Sequence, residues 1–145
     1  MATASYKGRY KPQNKDKYLG NPDKVVYRSN WERRFMVYCD GSASILEWGS
    51  EEVIIPYRSP LDNRVHRYFP DFILKTDKGR KMLIEIKPSR QITRPKPPKK
   101  KTKSYMRESF EFIKNQAKWK AATSYAEDNG AVFKIITEKD LGYNY

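Results

Sequence analysis

The chain has 145 residues and carries 30 Lys and Arg against 17 Asp and Glu, a formal net charge of +13. That length suits one core and not two, and so large a positive excess suits a polyanionic partner, with nucleic acid favoured over a membrane because no apolar run approaches the roughly 20 residues of a span. Cys39 and His66 are the only cysteine and the only histidine, which excludes an internal disulfide, a Cys/His zinc module and chemistry resting on several histidines. A metal ion would have to be held by carboxylates.

Residues 1–28 are basic, rich in Tyr, Gly and Pro, and weak in apolar periodicity. They read as an arm with no apolar signal-peptide segment. Tyr6, Tyr10 and Tyr18 alternate with Lys7, Arg9, Lys11, Lys15 and Lys17. Such tyrosines could stack on bases while the cations meet phosphate, or they could pin the arm to the domain; both readings stand at this point.

The main domain is expected over 29–145. Ser29 followed by Glu32 is a capping box, with the Glu side chain returning to the cap's backbone N–H. Trp31, Phe35, Tyr38 and Cys39 follow at i, i+4, i+7 and i+8, a stripe that should face the core. Cys39 in that stripe fits a reduced compartment. Gly41 should end the helix. Ile45-Leu46-Glu47-Trp48 then leads into a first strand over 52–58, with Pro56 at an edge or strand end. Glu51 and Glu52 read as solvated. A second strand is expected over 65–74 and a third over 81–87, joined around the turn-forming Asp77-Lys78-Gly79.

That hairpin carries the chemistry. Alternation puts Met82, Ile84 and Ile86 on one face of the third strand and Leu83, Glu85 and Lys87 on the other. Two charges on an apolar strand are costly unless they are paired or used. Once the hairpin closes, Asp71 at the far end of the second strand can approach both. Two carboxylates and a lysine in one place suit a divalent-metal phosphodiesterase. The acids offer hard oxygen ligands for Mg²⁺, and the lysine orients the attacking water or screens the developing charge.

Beyond Pro88 the composition changes abruptly. Residues 90–103 hold Arg90, Arg94, Lys96, Lys99, Lys100, Lys101 and Lys103 with three prolines and no acid, a density that forbids helix or strand. This basic loop, rooted beside Lys87, is a DNA-binding candidate. A helix should follow over 104–128, with Met106, Phe110, Ile113, Ala117 and Ala121 on one side and Asn129-Gly130 as its stop. Val132-Phe133-Lys134-Ile135-Ile136 reads as a strand parallel to the third, reached by a right-handed crossover. The expected fold class is therefore α/β: helix, three-strand antiparallel meander, helix, and a parallel fourth strand in a mixed sheet.

Pro70-Asp71 and Glu85-Ile86-Lys87 together resemble the PD-(D/E)xK nuclease superfamily, whose restriction-endonuclease-like core has this topology. The arm and first helix (Tyr6-Lys7-Gly8-Arg9-Tyr10-Lys11-Pro12, Lys17-Tyr18-Leu19-Gly20, Tyr27-Arg28-Ser29-Asn30-Trp31-Glu32) look like the head completion nucleases of T-even-type tailed phages. So do Trp48-Gly49-Ser50-Glu51, Ile55-Pro56-Tyr57, Ile84-Glu85-Ile86-Lys87-Pro88 and Lys118-Trp119-Lys120-Ala121-Ala122. The hairpin and last helix are also similar to the nuclease subunit of cut-and-paste transposition systems.

The resemblance implies a catalytic set of Glu32, Asp71, Glu85 and Lys87, with Asp71, Glu85 and Glu32 on Mg²⁺ and Mn²⁺ as its substitute. It implies cleavage of DNA, phage head or neck proteins as partners, and action in head completion and head–tail joining; with no helix–turn–helix or finger in the sequence, little sequence preference is expected. The place of action would be the host cytoplasm during assembly, or the virion. Two other readings remain: a non-catalytic DNA-binding assembly factor, and a transposition nuclease, which the short chain disfavours.

Overall fold

Residues 7–141 are described by the structure, a computed structural model; Tyr6 lies outside them. The arm is tied down. Gly8–Arg9 (β1) pairs antiparallel with Val26–Tyr27 (β2), and two single 3-10 turns lie between them. Tyr18 and Val25 are buried in the core. Tyr10 donates its hydroxyl to Asp40 at 2.7 Å, so Tyr10 and Tyr18 act as anchors, not as bases' stacking partners.

The first long helix, Asn30–Gly41 (α1), starts where the Ser29 hydroxyl accepts the Glu32 amide at 3.1 Å. The capping box departs from expectation in one detail. The Glu32 carboxylate takes the amide of Arg28, one residue before the cap, at 3.2 Å. The buried arc is Phe35, Met36, Cys39 and Asp40, whereas Tyr38 is 53% exposed. The arm rotates that arc: Asp40 accepts hydrogen bonds from Tyr10 and from the amides of Gln13 and Asn14, so the arm packs along one side of the helix. Gly41 remains helical and Ser42 is the C-cap.

Next come Ile45–Ser50 (β3), Ile55–Arg58 (β4), Val65–Tyr68 (β5), Phe72–Thr76 (β6) and Lys81–Ile86 (β7). The helix Lys103–Asp128 (α2), the strand Ala131–Ile136 (β8) and the short helix Glu138–Leu141 (α3) complete the fold. The main sheet has the order β3-β6-β7-β8, antiparallel across β3, β6 and β7 and parallel from β7 to β8. The mixed sheet, meander and crossover are those expected. Two strand assignments are corrected. The sheet's first strand is β3, which looked like a lead-in. The stretch 65–74 is broken, and its first half pairs with β4 as a separate two-stranded ribbon. Pro70, fully buried, has no N–H to donate to a ladder, so the strand ends before it. Glu51, at φ 54°, turns the chain out of β3.

Each face of the sheet has its own core. Ile84 and Ile86 of β7 pack with Phe35, Met36, Cys39, Trp48 and Phe72 under α1. Leu83 packs with Trp119, Ala122 and Ala126 of α2 and with Ile55, Tyr57 and Tyr68 of the ribbon. Trp48, wholly buried, meets Tyr18 edge-on at 4.8 Å between centroids. The Leu19 amide donates to the Trp48 carbonyl at 2.7 Å, which covers the otherwise open edge of β3.

The buried residues of α2 are Asn115, Trp119, Ala122 and Ala126, a face turned from the expected stripe; Met106 and Phe110 are 39% and 47% exposed. The cause is length. Twenty-six residues make a helix of about 39 Å, against strands of about 20 Å, so the first half of α2 overhangs the sheet. Gly130, at φ 68°, closes the helix in the left-handed conformation that favours glycine. The hairpin turn uses Gly79 at φ 78° in the same way.

Candidate active site

The β6–β7 ladder begins at the pair Phe72↔Ile84. One residue earlier the chain has bent at Pro70-Asp71, so the Ile86 amide, which faces β6, has no carbonyl across from it. Asp71 fills the gap: its Oδ2 accepts the Ile86 N–H at 2.8 Å, and its own carbonyl accepts the Glu51 amide at 3.1 Å. The Lys87 amide faces the other way and donates to Ile136 of β8 at 3.0 Å. Asp71 is thus held at the end of β7 by backbone, beside the two charged side chains of that strand.

Glu85 is 6% exposed. Its Oε1 accepts the Tyr68 hydroxyl at 2.6 Å, and its Oε2 lies 3.5 Å from the Lys87 Nζ. Burial and the Glu85 charge push the Tyr68 phenol well above its ordinary value, so it stays a donor. The Trp119 indole N–H is buried beside that hydroxyl without reaching hydrogen-bond geometry. Lys118 of α2 puts its ammonium 5.6 Å from the Tyr68 ring centroid. Burial, then repulsion from Lys114 and Lys87, hold Lys118 below the usual lysine range.

Burial raises the Asp71 carboxyl well above the usual range, and the charges of Glu85 and Glu32 raise it further. The Ile86 amide and Lys87 act in the opposite sense. Burial, followed by the Glu51 charge, also raises Glu32 against the pull of the Arg28 amide. Arg28 forms an ion pair with Glu51 and feels both Glu32 and Asp71. Glu51 is therefore not the solvated bystander that its sequence suggested. It belongs to the edge of the acidic cluster, while Glu52 accepts the Tyr18 hydroxyl at 2.8 Å.

Asp71, Glu85 and Lys87 come together as expected, and Glu32 joins them electrostatically. Among the described residues no three His, Cys, Asp or Glu side chains are grouped tightly enough to form a ready metal cage. The donor set nevertheless fits a hard divalent cation. An acid buried beside other carboxylates, as Asp71 is, is relieved by a positive charge placed among them. Sequence reading missed Tyr68, Lys118 and Arg28. The one available signal was for Tyr68, a buried phenol that must find an acceptor.

The basic residues lie where the loop was expected. Arg90 sits in a 3-10 turn, Ser89–Gln91, contrary to a wholly irregular loop. Lys96, Lys99, Lys100 and Lys101 are exposed in coil, and Lys103 is the exposed first residue of α2. Arg94 lies over the Phe112 ring at 5.1 Å. The loop's root is fixed: Glu138 of α3 accepts the Ser89 amide at 2.8 Å and the Ser89 hydroxyl. No helix among the described residues is long and apolar enough to cross a membrane.

Comparison with known proteins finds matches over most of the chain. The family described as "TnsA-like endonuclease N terminal" matches residues 42–138, which span β3 to the start of α3 and include Asp71, Glu85 and Lys87. The head completion nuclease of Enterobacteria phage T4 is 40% identical over 141 residues, covering 94% of this chain and 94% of the relative. No solved structure matches the chain. On a profile that takes in the whole main sheet and a relative aligned nearly end to end, this chain belongs to the TnsA-like endonucleases and to the family of head completion nucleases.

Proposed function

We propose that this nuclease is a Mg²⁺-dependent DNA phosphodiesterase acting in phage head completion and head–tail joining, with its chemistry at Asp71, Glu85 and Lys87 and with Glu32 in support. The observation that carries the reading is the meeting of Asp71 with Glu85 and Lys87 at the end of β7, where the strands hold all three. Asp71 and Glu85 would hold the divalent ion, with Glu32 behind them; the ion supplies Lewis-acid polarisation of the scissile phosphate. Mn²⁺, with the same preference for oxygen ligands, should substitute.

The protein's own groups divide the remaining work. The Ile86 amide fixes one Asp71 oxygen. The Tyr68 hydroxyl fixes one Glu85 oxygen and so orients the other. Lys87, 27% exposed at its side chain, stands beside Glu85 with its ammonium open to an incoming phosphate. There it orients the attacking water and stabilises charge that develops on phosphorus-bound oxygens. Lys118 adds a second positive charge on the α2 side.

DNA would be gathered by Arg90, Arg94, Lys96, Lys99, Lys100, Lys101 and Lys103, next to the N-terminus of α2, whose first turn holds no acid and whose dipole favours anions. These contacts would reach phosphates, which gives little sequence preference. The role in head completion is carried over from the name of the T4 relative; head or neck proteins as partners, and the host cytoplasm during assembly or the virion as location, extend that role. The deciding experiment is supercoiled plasmid incubated with the protein in Mg²⁺ or EDTA. Nicking or linearisation in Mg²⁺ alone, absent in Asp71→Asn, is expected. Plasmid left intact in Mg²⁺, or cut equally by Asp71→Asn, overturns the reading.

A further inference from the structure

A cleft of about 520 Å³ opens directly beside Lys87, between the Ser89–Gln91 turn, the coil after it and the overhanging first half of α2. That volume is in the range of pockets that hold small organic groups. Lys87, Arg90 and Arg107 bring positive charge to it, and Pro95 and Phe112 give it an apolar wall. Glu108 and Glu111 also reach it, the latter paired with Lys114 at 2.9 Å. Asn115 lines the cleft while only 5% exposed. An Asn side chain offers a neighbouring donor and acceptor to a polar group that enters such a cleft.

A phosphate alone needs neither an aromatic wall nor an amide. A nucleotide uses both: its base stacks on a ring face, and its edge pairs with an Asn side chain. We propose that the cleft receives one unpaired nucleotide of the strand engaged at Lys87, its base against Phe112 with an edge on Asn115, and its phosphate on Arg90 and Arg107. The proposal rests on the cleavage site being at Lys87. Arg94, over the Phe112 ring, covers the stacking face until a base arrives and can then close over it. A base still paired in duplex must first leave its stack to enter. The preferred DNA is therefore a strand with unpaired nucleotides, such as a frayed end, a gap or a single strand.

The test measures binding in EDTA, with no cleavage, of a short labelled single strand and a blunt duplex of the same sequence. Phe112→Leu and Asn115→Ala should each weaken single-strand binding about tenfold, the scale of one base contact, and leave duplex binding nearly unchanged. A melting temperature near that of wild type shows that Asn115→Ala folds. Equal losses on both DNAs would reduce the cleft to part of a general cationic surface and overturn the proposal, as would single-strand binding unchanged in Phe112→Leu. Should Asn115→Ala melt early, Phe112→Leu on a partly exposed ring decides alone. Wild-type protein that cuts plasmid in Mg²⁺ while its single-strand binding ignores Phe112 sinks this proposal and leaves the cleavage site standing.

Discussion

Asp71 stands in for a strand residue: its Oδ2 accepts the Ile86 amide at 2.8 Å, where a backbone carbonyl would sit had β6 continued. One hydrogen bond therefore ends the ladder and also positions a carboxylate beside Glu85 and Lys87. An Asn at this position can still accept from Ile86, but it carries no charge.

Asp71→Asn should therefore fold well and cut DNA poorly. It should also be more stable than wild type without metal. The Asp71 carboxyl is raised in the folded state by burial and by Glu85 and Glu32. A raised carboxyl contributes stability that is full below the unfolded pKa and is lost as pH rises through the folded pKa. At neutral pH the metal-free wild type therefore carries the penalty and the Asn variant does not, a gain of about 1 kcal/mol on the scale of relieved functional sites. Mg²⁺ should raise the wild-type melting temperature at neutral pH, with the increment fading on acidification as protons compete for Asp71. Melting curves with Mg²⁺ and EDTA across pH check both; a variant less stable than wild type in EDTA refutes the crowding argument.

The hairpin was legible because period two is strict there. Leu83 and Glu85 face α2 while Ile84 and Ile86 face α1, as alternation requires. Asp71 could be matched to Glu85 because the turn at Gly79 fixes the register. The helices were read less well. Their periodicity shows which residues share a side, but not which side meets the sheet. Asp40 is buried because the arm lies on it, and Phe110 is exposed because α2 outruns the strands beneath it. Neither fact is local. Tyr68 joins Glu85 from another ribbon across 17 positions, a contact that only the bend at Pro70 creates.

Tyr68→Phe removes the hydroxyl that fixes Glu85 and leaves the ring under Lys118. A hydrogen bond to a charged group is worth about 1.5–3 kcal/mol. Cleavage should fall by roughly ten- to a hundredfold, with Mn²⁺ affinity measured by calorimetry falling alongside. Weaker cleavage at full Mn²⁺ affinity would mean that Tyr68 contacts DNA instead of orienting Glu85.

Glu32 has two jobs that one substitution separates. Its carboxylate accepts the Arg28 amide, which Gln can also do, and it adds negative charge near Asp71, which Gln cannot. Glu32→Gln should keep the unfolding free energy within about 0.5 kcal/mol of wild type and lose cleavage in Mg²⁺. Full cleavage by the folded variant would return Glu32 to the helix cap alone.

Asp40 tests the anchoring of the arm. Burial would raise its carboxyl, but hydrogen bonds from Tyr10 and the Gln13 and Asn14 amides, together with Lys17, hold it below the usual range. A depressed carboxyl contributes stability above its unfolded pKa and loses it as pH falls through the folded value, so the arm should loosen only in strong acid. Asp40→Ala leaves those donors without their acceptor and should cost about 2–3 kcal/mol. Limited proteolysis should then cut within the arm of the variant before the rest of the domain. An arm as resistant as wild type would show that Tyr18 and Val25 suffice to hold it.

The seven cations of residues 90–103 lie in a segment whose root is clamped by Glu138 and whose middle has no regular structure. They can therefore follow a phosphate backbone without a fixed register. Each phosphate neutralised on duplex DNA releases counterions and adds about −0.9 to the slope of log affinity against log salt. With three or four of the seven in contact at once, replacing Lys96, Lys99, Lys100, Lys101 and Lys103 with Gln should flatten the slope by roughly two to three units. The loss should be uniform across sequences, because phosphate contacts carry no base information. Cleavage at saturating DNA should change much less, since Asp71, Glu85 and Lys87 are untouched. Arg90 and Arg107 remain at the cleft, so preference for a single strand over a duplex should increase once the duplex loses its loop contacts. A salt slope equal to wild type would show that the loop faces a protein, and head or neck docking would then account for its charge.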